Sequence, residues 1–156
     1  MAHEIERKFR VAPNWRPEGE GVRLEQGYIS SVPERTVRVR IEGAAARITI
    51  KGLTTGVTRL EYEYAIPFED AAAMLRDLCE KPHIAKRRHV VMYDGNKWEV
   101  DVFEGDNAGL VIAEIELASE DEPFARPPWV AAEVSDDPRY YNSSLVRTPY
   151  KSWPSG

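Results

Sequence analysis

The chain has 156 residues, with 21 lysine and arginine residues, 26 aspartate and glutamate residues and a formal net charge of −5. Its length predicts one domain over residues 1–156, and its acidic balance argues against nucleic acid or an anionic membrane surface as a partner. The single cysteine, Cys79, excludes an internal disulfide, and because the sequence shows neither a membrane-spanning run nor the apolar core of a signal peptide, we expect a cytoplasmic protein.

Charge on one face is the main feature of the first predicted strand, His3-Glu-Ile-Glu-Arg-Lys-Phe9. Successive side chains of a strand point to opposite faces, so Glu4, Glu6 and Lys8 share one face and the residues between them share the other. A solvated edge strand is the commoner explanation of such a stripe. Repetition of the stripe in later segments favours a functional explanation.

Further predicted strands follow, and most of them also have one charged and one apolar face. They cover residues 22–31, 36–42, 47–51, 57–65, 84–93, 98–104 and 110–117. Their charged positions are Arg38, Arg40, Lys51, Arg59, Glu61, Glu63, Lys86, Arg88, Asp101, Glu114 and Glu116. The last two lie in an otherwise apolar strand, where a buried carboxylate needs a partner.

Helical segments are predicted between and after the strands. Apolar residues recur at helical spacing over residues 71–80, after an acidic start and before Pro82. A short helix can start at residues 119–122. Helical turns that cover the sheet are predicted within residues 129–134 and 140–146.

The regular spacing of the predicted strands allows antiparallel strands to close into a barrel. With eight or so such strands we expect an α+β, mainly antiparallel β fold. If the charged faces point inward, it is an eight-stranded closed β-barrel tunnel with a charged lumen, covered by a few helices. Such a lumen is costly if it is dry and empty, but it suits a highly charged ligand. Arginine and lysine bind phosphate oxygens well, and carboxylates one residue apart suit Mg²⁺ or Mn²⁺ as a cofactor.

Charged motifs follow one another in a fixed order along the chain. They are Glu4-x-Glu6-x-Lys8, Arg38-x-Arg40, Thr49-Ile-Lys51, Arg59-x-Glu61-x-Glu63, Lys86-x-Arg88, Asp101 and Glu114-x-Glu116. This ordered set resembles the CYTH superfamily of triphosphate tunnel metalloenzymes, in its short bacterial form. One such motif is a weak signal, whereas the ordered set is specific. The resemblance implies an eight-stranded tunnel that hydrolyses inorganic triphosphate with a divalent metal and releases phosphate.

The resemblance also implies a role for each charged position. Phosphate oxygens of the substrate would be bound by Lys8, Arg38, Arg40, Lys51, Arg59, Lys86 and Arg88. The metal ligands would be Glu4, Glu6, Asp101, Glu114 and Glu116. The catalytic residues would be Glu4, Glu6, Lys8, Glu61 and Glu63, among which the carboxylates hold the metal or orient the attacking water. Lys151 is a further candidate for protonating the leaving phosphate, but its Pro-Tyr-Lys-Ser-Trp setting departs from the family pattern and leaves that role open.

Three functions fit such a tunnel. Hydrolysis of inorganic triphosphate (tripolyphosphate) is favoured, because the chain shows no adenine-pocket motif. The first alternative is a nucleotide or thiamine triphosphate phosphohydrolase or an adenylyl cyclase-type enzyme. The second is a non-catalytic polyphosphate-binding module, which would have no use for costly paired carboxylates. The expected partner is a small-molecule triphosphate, and the chain is expected to be a monomer or a homodimer.

Overall fold

β-Strands make up most of the computed structural model, which describes residues 3–154. They are β1 (His3–Val11), β2 (Val22–Val32), β3 (Arg35–Glu42), β4 (Ala45–Gly52), β5 (Thr58–Ala65), β6 (Ile84–Tyr93), β7 (Asn96–Phe103), β8 (Val111–Glu116) and β9 (Val130–Glu133). Every pairing between these strands is antiparallel. Short connections join β2 to β3, β3 to β4, β4 to β5, β6 to β7 and β7 to β8, since antiparallel neighbours need no long crossover.

The sheet closes on itself. Its strands follow the order β5-β4-β3-β2-β6-β7-β8-β1, and a pairing between β1 and β5 completes the circle. In this closing pair Glu4 lies opposite Arg59. The predicted fold class, an eight-stranded antiparallel barrel, is confirmed. The additional strand β9 pairs with the second half of β1, where Phe9 lies opposite Glu133.

Short helices cover the barrel. The α-helices are α1 (Phe68–Asp77) and α2 (Asn142–Arg147), and 3₁₀ turns occur at Gly105–Asn107, Pro138–Tyr140 and Tyr150–Ser152. The helix predicted before Pro82 is confirmed, although it ends earlier than expected. Helical structure within residues 140–146 is also confirmed. In the part of the chain from residue 3 to residue 154, no helix has the length and apolar character needed to span a bilayer.

Two predicted helical segments are wrong. Residues 129–134 contain β9, because their backbone pairs with the part of the β1 edge that β5 leaves free, as in the hydrogen bond of 2.9 Å from Val134 N to Lys8 O. Residues 119–122 form a turn, and their last carboxylate accepts a hydrogen bond of 2.6 Å from Ala118 N. In both places a contact outside the segment decides its conformation.

The apolar core lies between the barrel wall and the segments that cover it. One cluster packs under α1 and comprises Val39, Ala46, Ala71, Leu75 and Cys79. A second packs under the segment that precedes β9 and comprises Phe9, Trp98, Val100, Ala113, Ile115 and Leu117. The third lies beside α2 and comprises Tyr28, Ile84, Phe103, Leu110, Ile112, Val134, Tyr140, Leu145 and Val146. The inside of the barrel is therefore left for polar side chains.

Close packing of α1 on β2 requires the glycine at position 27. A Cβ atom on Gly27 would lie 2.9 Å from Cys79 Cβ and 3.0 Å from Leu75 Cδ2, so the helix would have to move away from the strand. Cys79 is buried in this contact, as a small apolar side chain usually is. The contact fixes α1 behind the wall whose inner side carries Gln26 and Tyr28.

Trp98 is central to the second cluster. Its side chain is 0% exposed, and its ring lies edge-on to those of Phe9, Phe124 and Trp129 at centroid distances of 5.6, 5.9 and 5.9 Å. We expect Trp98→Ala to lower the free energy of unfolding by about 3–5 kcal/mol, because it removes this packing. Urea denaturation followed by circular dichroism measures the loss. Met92→Ala, at a side chain that is 64% exposed, should change the value by about 0.5 kcal/mol or less; equal losses would contradict the prediction.

Candidate active site

A cavity of about 670 Å³ occupies the lumen of the barrel. All predicted phosphate-binding residues line it, namely Lys8, Arg38, Arg40, Lys51, Arg59, Lys86 and Arg88. It is also lined by the carboxylates Glu4, Glu6, Glu61, Glu63, Glu114 and Glu116. The charged strand faces therefore point inward, as the fold prediction required. Asp101 is 1% exposed and lies behind this lining.

β1 and β8 bring oppositely charged side chains together at the middle of the site. Their register places Glu6 opposite Glu116 and Lys8 opposite Glu114. Lys8 Nζ donates to Glu114 Oε2, and to Glu6 Oε1 at 3.3 Å. Burial alone would lower the pKa of Lys8, but the charges of Glu114 and Glu6 raise it above its usual value. Lys8 is thus a permanent cation between two carboxylates.

Glu6 and Glu114 interact with each other, and their pKa values shift in opposite directions. Burial and the charge of Glu114 raise the pKa of Glu6 well above its usual value. Burial alone would raise the pKa of Glu114, but the charge of Lys8, the interaction with Glu6 and the charges of Lys86 and Arg88 together hold it well below its usual value. Burial and the charge of Glu4 raise the pKa of Glu116. This side of the lumen therefore has more carboxylates than its own cations neutralise.

Glu4 is held by cations from two other strands. Lys51 Nζ donates to its two oxygens at 2.9 and 3.0 Å, and Arg59 Nε donates to Oε1 at 3.3 Å. Burial alone would raise the pKa of Glu4, but Lys51 and Arg59 lower it to about 2. Glu61 lies 3.3 Å from the same Lys51, yet burial and the charge of Glu4 raise its pKa. Glu61 is consequently the more basic carboxylate of the two.

Glu63 has a different environment, in which hydrogen bonds dominate. Arg47 Nη1 donates to Glu63 Oε1 at 2.8 Å, and Thr49 Oγ1 donates to Oε2 at 2.9 Å. Burial alone would raise the pKa of Glu63, but these hydrogen bonds lower it. Arg38 Nη2 donates to the same Thr49 hydroxyl at 3.2 Å. Glu63 thus holds the side chains around it in place as an ionised acceptor.

Asp101 holds two of the predicted phosphate-binding cations. Arg88 donates to it in a bidentate manner, from Nε to Oδ1 at 2.8 Å and from Nη2 to Oδ2 at 2.9 Å, and Lys86 Nζ lies 2.7 Å from Oδ2. Burial alone would raise the pKa of Asp101, but these partners lower it to about 2. Both oxygens are therefore engaged by cations, and these contacts favour the positioning of Lys86 and Arg88 over the predicted role of metal ligand.

Cations repel one another at the end of the cavity that α2 covers. Burial and the charges of Arg38 and Arg88 lower the pKa of Arg40 to about 9. Burial and the charges of Arg88 and Arg40 lower the pKa of Lys86 to about 7, although Asp101 opposes this shift. A bound polyanion would relieve such repulsion, because it favours the charged form of each group.

Several lining residues were not assigned to the site from the sequence, among them Tyr28, Arg47, Glu99, Tyr141, Asn142 and Ser143. Strand alternation offered a signal for two of them, since Arg47 shares a face with Lys51 and Glu99 shares one with Asp101. No such signal existed for Tyr141, Asn142 and Ser143, because the position of α2 over the barrel follows from tertiary packing. Lys151 is exposed and lies outside the lining of the cavity.

The carboxylates fit a divalent cation that is shared with a bound phosphate. Between residues 3 and 154, no three aspartate, glutamate, histidine or cysteine side chains converge closely enough to hold a metal ion by themselves. Glu6 and Glu114 do approach each other, and a bound cation would oppose the rise in the pKa of Glu6 that burial and the charge of Glu114 cause. Mg²⁺ is usually bound by one or two carboxylates together with water and substrate phosphates, and this oxygen-only pair suits that mode.

Comparisons with known proteins agree on one family. A family model described as the CYTH domain matches residues 2–145. An inorganic triphosphatase from Acetivibrio thermocellus is 48% identical over 154 residues, which cover 98% of this chain and 99% of that protein. An inorganic triphosphatase from Nitrosomonas europaea is 38% identical over 149 residues, or 92% of this chain and 96% of that protein. A crystal structure of an inorganic triphosphatase, 36% identical, covers 99% of each chain with a TM-score of 0.65.

Asp101→Asn tests the charge pairing behind the cavity. The substitution keeps the shape of the side chain but removes the carboxylate that pairs with Lys86, and it leaves Arg88 with the more distant Glu99 and Glu114. Because an unpaired buried charge is costly, we expect the free energy of unfolding to fall by about 3 kcal/mol. Tripolyphosphate without metal should raise the thermal midpoint of this variant more than that of the wild type, since the anion replaces the lost charge. Asp136→Asn, at an exposed position, is the control; the same stability in both variants would refute the pairing.

Proposed function

The chain belongs to the CYTH domain family, and we propose that it hydrolyses inorganic triphosphate inside its tunnel and releases phosphate. The observation that carries this proposal is the convergence of the predicted phosphate-binding cations on one cavity that also contains adjacent carboxylates. Cations alone would bind a polyanion. The combination with carboxylates suits transfer of a phosphoryl group to water, in which positioning and electrostatic stabilisation supply most of the catalysis.

The lining of the cavity favours an inorganic substrate. Tyr28 and Tyr141 contribute aromatic rings to it, whereas no tryptophan or phenylalanine in the described part of the chain does so. A nucleotide base or an aromatic heterocycle is typically held between apolar or aromatic surfaces. The rest of the lining is dominated by charged side chains, which suit phosphate groups along the whole length of the ligand.

We propose Glu6, Glu114 and Glu116 as the residues that hold the divalent cation, Mg²⁺ or Mn²⁺, together with substrate phosphate oxygens. The support is the mutual approach of Glu6 and Glu114 and the raised pKa of Glu6 and Glu116. When bound, the cation neutralises charge on the transferring phosphoryl group. Glu4 is a less suitable ligand, because cations donate to both of its oxygens, whereas Glu114 accepts a hydrogen bond from Lys8 through Oε2 alone.

The proposed reaction is an in-line displacement by water. The water oxygen forms a bond to a terminal phosphorus, and the bond between that phosphorus and the bridging oxygen breaks. The electron pair of the broken bond stays on the bridging oxygen, so the products are orthophosphate and pyrophosphate. One proton of the water remains on orthophosphate, and the other passes to a carboxylate and then to solvent. We propose Glu61 as this carboxylate, because it lines the cavity and its pKa is raised.

The proposal predicts a sharp substrate preference. Phosphate release is measured with tripolyphosphate, pyrophosphate, ATP and thiamine triphosphate, each with Mg²⁺, Mn²⁺ or a chelator. We expect metal-dependent release from tripolyphosphate at a rate far above that from ATP. Glu114→Gln should lower kcat by about 100-fold or more, because it removes a charged metal ligand but keeps the side-chain shape.

The matched control is Glu34→Gln, at an exposed position outside the cavity, which should retain wild-type kcat. Calorimetry with a chelator should show that Glu114→Gln still binds tripolyphosphate. Wild-type turnover in Glu114→Gln at limiting metal would remove this residue from the ligand set. Tight binding of tripolyphosphate by the wild type without any release would favour the non-catalytic binding module.

Arg40→Ala tests the phosphate-binding role of the cations. We expect it to weaken tripolyphosphate binding by about tenfold or more, because a charge-assisted hydrogen bond to phosphate is lost. Isothermal titration calorimetry with a chelator measures the dissociation constant. Arg23→Ala, on β2 but paired with Glu104 outside the cavity, should bind as the wild type does. Unchanged affinity in Arg40→Ala would contradict the assignment.

A further inference from the structure

Asn142 extends the set of phosphate-binding side chains at the end of the cavity that α2 covers. We propose that its side-chain amide nitrogen donates a hydrogen bond to an outer phosphate group of the bound triphosphate, and that Gln26 positions this amide. The inference rests on the proposed function, because it concerns the same cavity. It adds a neutral donor to a group of cations that the sequence motifs already indicate.

A chain of hydrogen bonds fixes the orientation of both amides. Arg40 Nε donates to Gln26 Oε1 at 2.8 Å, and Gln26 Nε2 donates to Asn142 Oδ1 at 3.0 Å. Lys86 Nζ donates to the same Asn142 oxygen at 2.9 Å. Arginine and lysine side chains donate only, so each end of the chain requires an amide oxygen. Rotating either amide by half a turn would place its NH₂ group against a cation.

The N–H groups that these contacts leave unused belong to residues that line the cavity. Asn142 lines it together with Lys86 and Arg40, and within residues 3–154 its Nδ2 makes no hydrogen bond. Lys86 Nζ donates to Asn142 and lies 2.7 Å from Asp101 Oδ2, and its side chain also lines the cavity. Arg40 uses Nε for Gln26 and keeps its two terminal nitrogens. Phosphate oxygens can accept several such bonds at once.

Packing holds the amide of Asn142 in place. Gln26, its partner, is 0% exposed. Asn142 begins α2, and Leu145 and Val146 of that helix are buried in the cluster that includes Ile84 of the barrel wall. The donor is thus ordered before a ligand arrives, which reduces the entropy lost on binding.

The same contacts would also arise if Asn142 only tied α2 to the barrel, and two substitutions separate these roles. Asn142→Ala removes both the accepting oxygen and the donating nitrogen. Asn142→Asp keeps an oxygen that accepts from Lys86 and Gln26 but replaces the donor with an anionic oxygen. A structural tie survives in Asn142→Asp, whereas a hydrogen bond to phosphate does not.

Binding of tripolyphosphate to the full chain is measured by calorimetry with a chelator, so that no turnover occurs. We expect Asn142→Ala to weaken binding by about tenfold to a hundredfold, the range for a hydrogen bond to a charged group, and Asn142→Asp to weaken it at least as much. Ser143→Asp places the same charge on the next residue without changing the amide, and it should weaken binding less than Asn142→Asp. Arg147→Gln, at an exposed position of α2, should match the wild type.

The role of Gln26 has its own measurement. Gln26→Ala should raise KM for tripolyphosphate with a much smaller change in kcat, and its effect should shrink in the Asn142→Ala background, because it acts through that amide. Equal effects of Gln26→Ala in both backgrounds would overturn its positioning role. The thermal midpoint of each variant shows whether it is folded. If Asn142→Ala does not fold, the affinity of Asn142→Asp for tripolyphosphate tests the phosphate contact.

The outcomes distinguish this inference from the proposed function. Wild-type affinity in Asn142→Asp, or equal losses in Asn142→Asp and Ser143→Asp, would overturn the phosphate contact even if the wild-type chain hydrolyses tripolyphosphate. A wild-type chain that binds tripolyphosphate but does not hydrolyse it with Mg²⁺ or Mn²⁺ would refute the proposed function alone, provided the Asn142 variants bind more weakly. A wild-type chain without affinity for tripolyphosphate would overturn both.

Discussion

Charge pairing inside the barrel is the constraint on which the rest of the structure depends. A lysine or glutamate taken out of bulk water loses several kcal/mol of hydration unless a partner compensates it. Neighbouring strands supply such partners, as β1 and β8 do for Lys8 and Glu114. The pairing is incomplete at Glu6 and Arg40, where burial and groups of like charge raise the pKa of Glu6 and lower that of Arg40. These two places are where a divalent cation and a polyanion would each gain the most on binding.

A charged lumen obliges the protein to build its apolar core outside the barrel. The outer faces of the strands pack under α1, under the segment before β9 and beside α2. Gly27 allows α1 to approach β2 closely, and Trp98 joins the wall to the segment that crosses it. The covering segments therefore stabilise the fold, while the barrel interior stays available for a ligand. This division explains why the short helices pack on the outside of the barrel.

The segment from β9 to α2 links stability to the site. Val134 N binds the carbonyl of Lys8, so β9 supports the strand that carries the central cation. Leu145 is 1% exposed in the third cluster, and the same short helix presents Asn142 to Lys86 at 2.9 Å. From behind the lining of the cavity, Asp101 also orients two of the predicted phosphate-binding cations, Lys86 and Arg88. Precise placement of phosphate-binding groups thus depends on residues that lie outside the charged motifs.

The sequence by itself determined which side chains share a face, because alternation along a strand is a local property. Together with the resemblance to a known family, that was enough to predict the eight-stranded barrel, its charged lumen and the inward position of residues such as Glu4 and Arg88. It did not determine β9, whose pairing depends on how far β5 extends along β1, nor the contact between Gln26 and Asn142, which are 116 positions apart. Only the tertiary structure decided which charged side chains pair with each other and in which direction each pKa shifts, because a pKa depends on distances and burial that no spacing along the chain encodes.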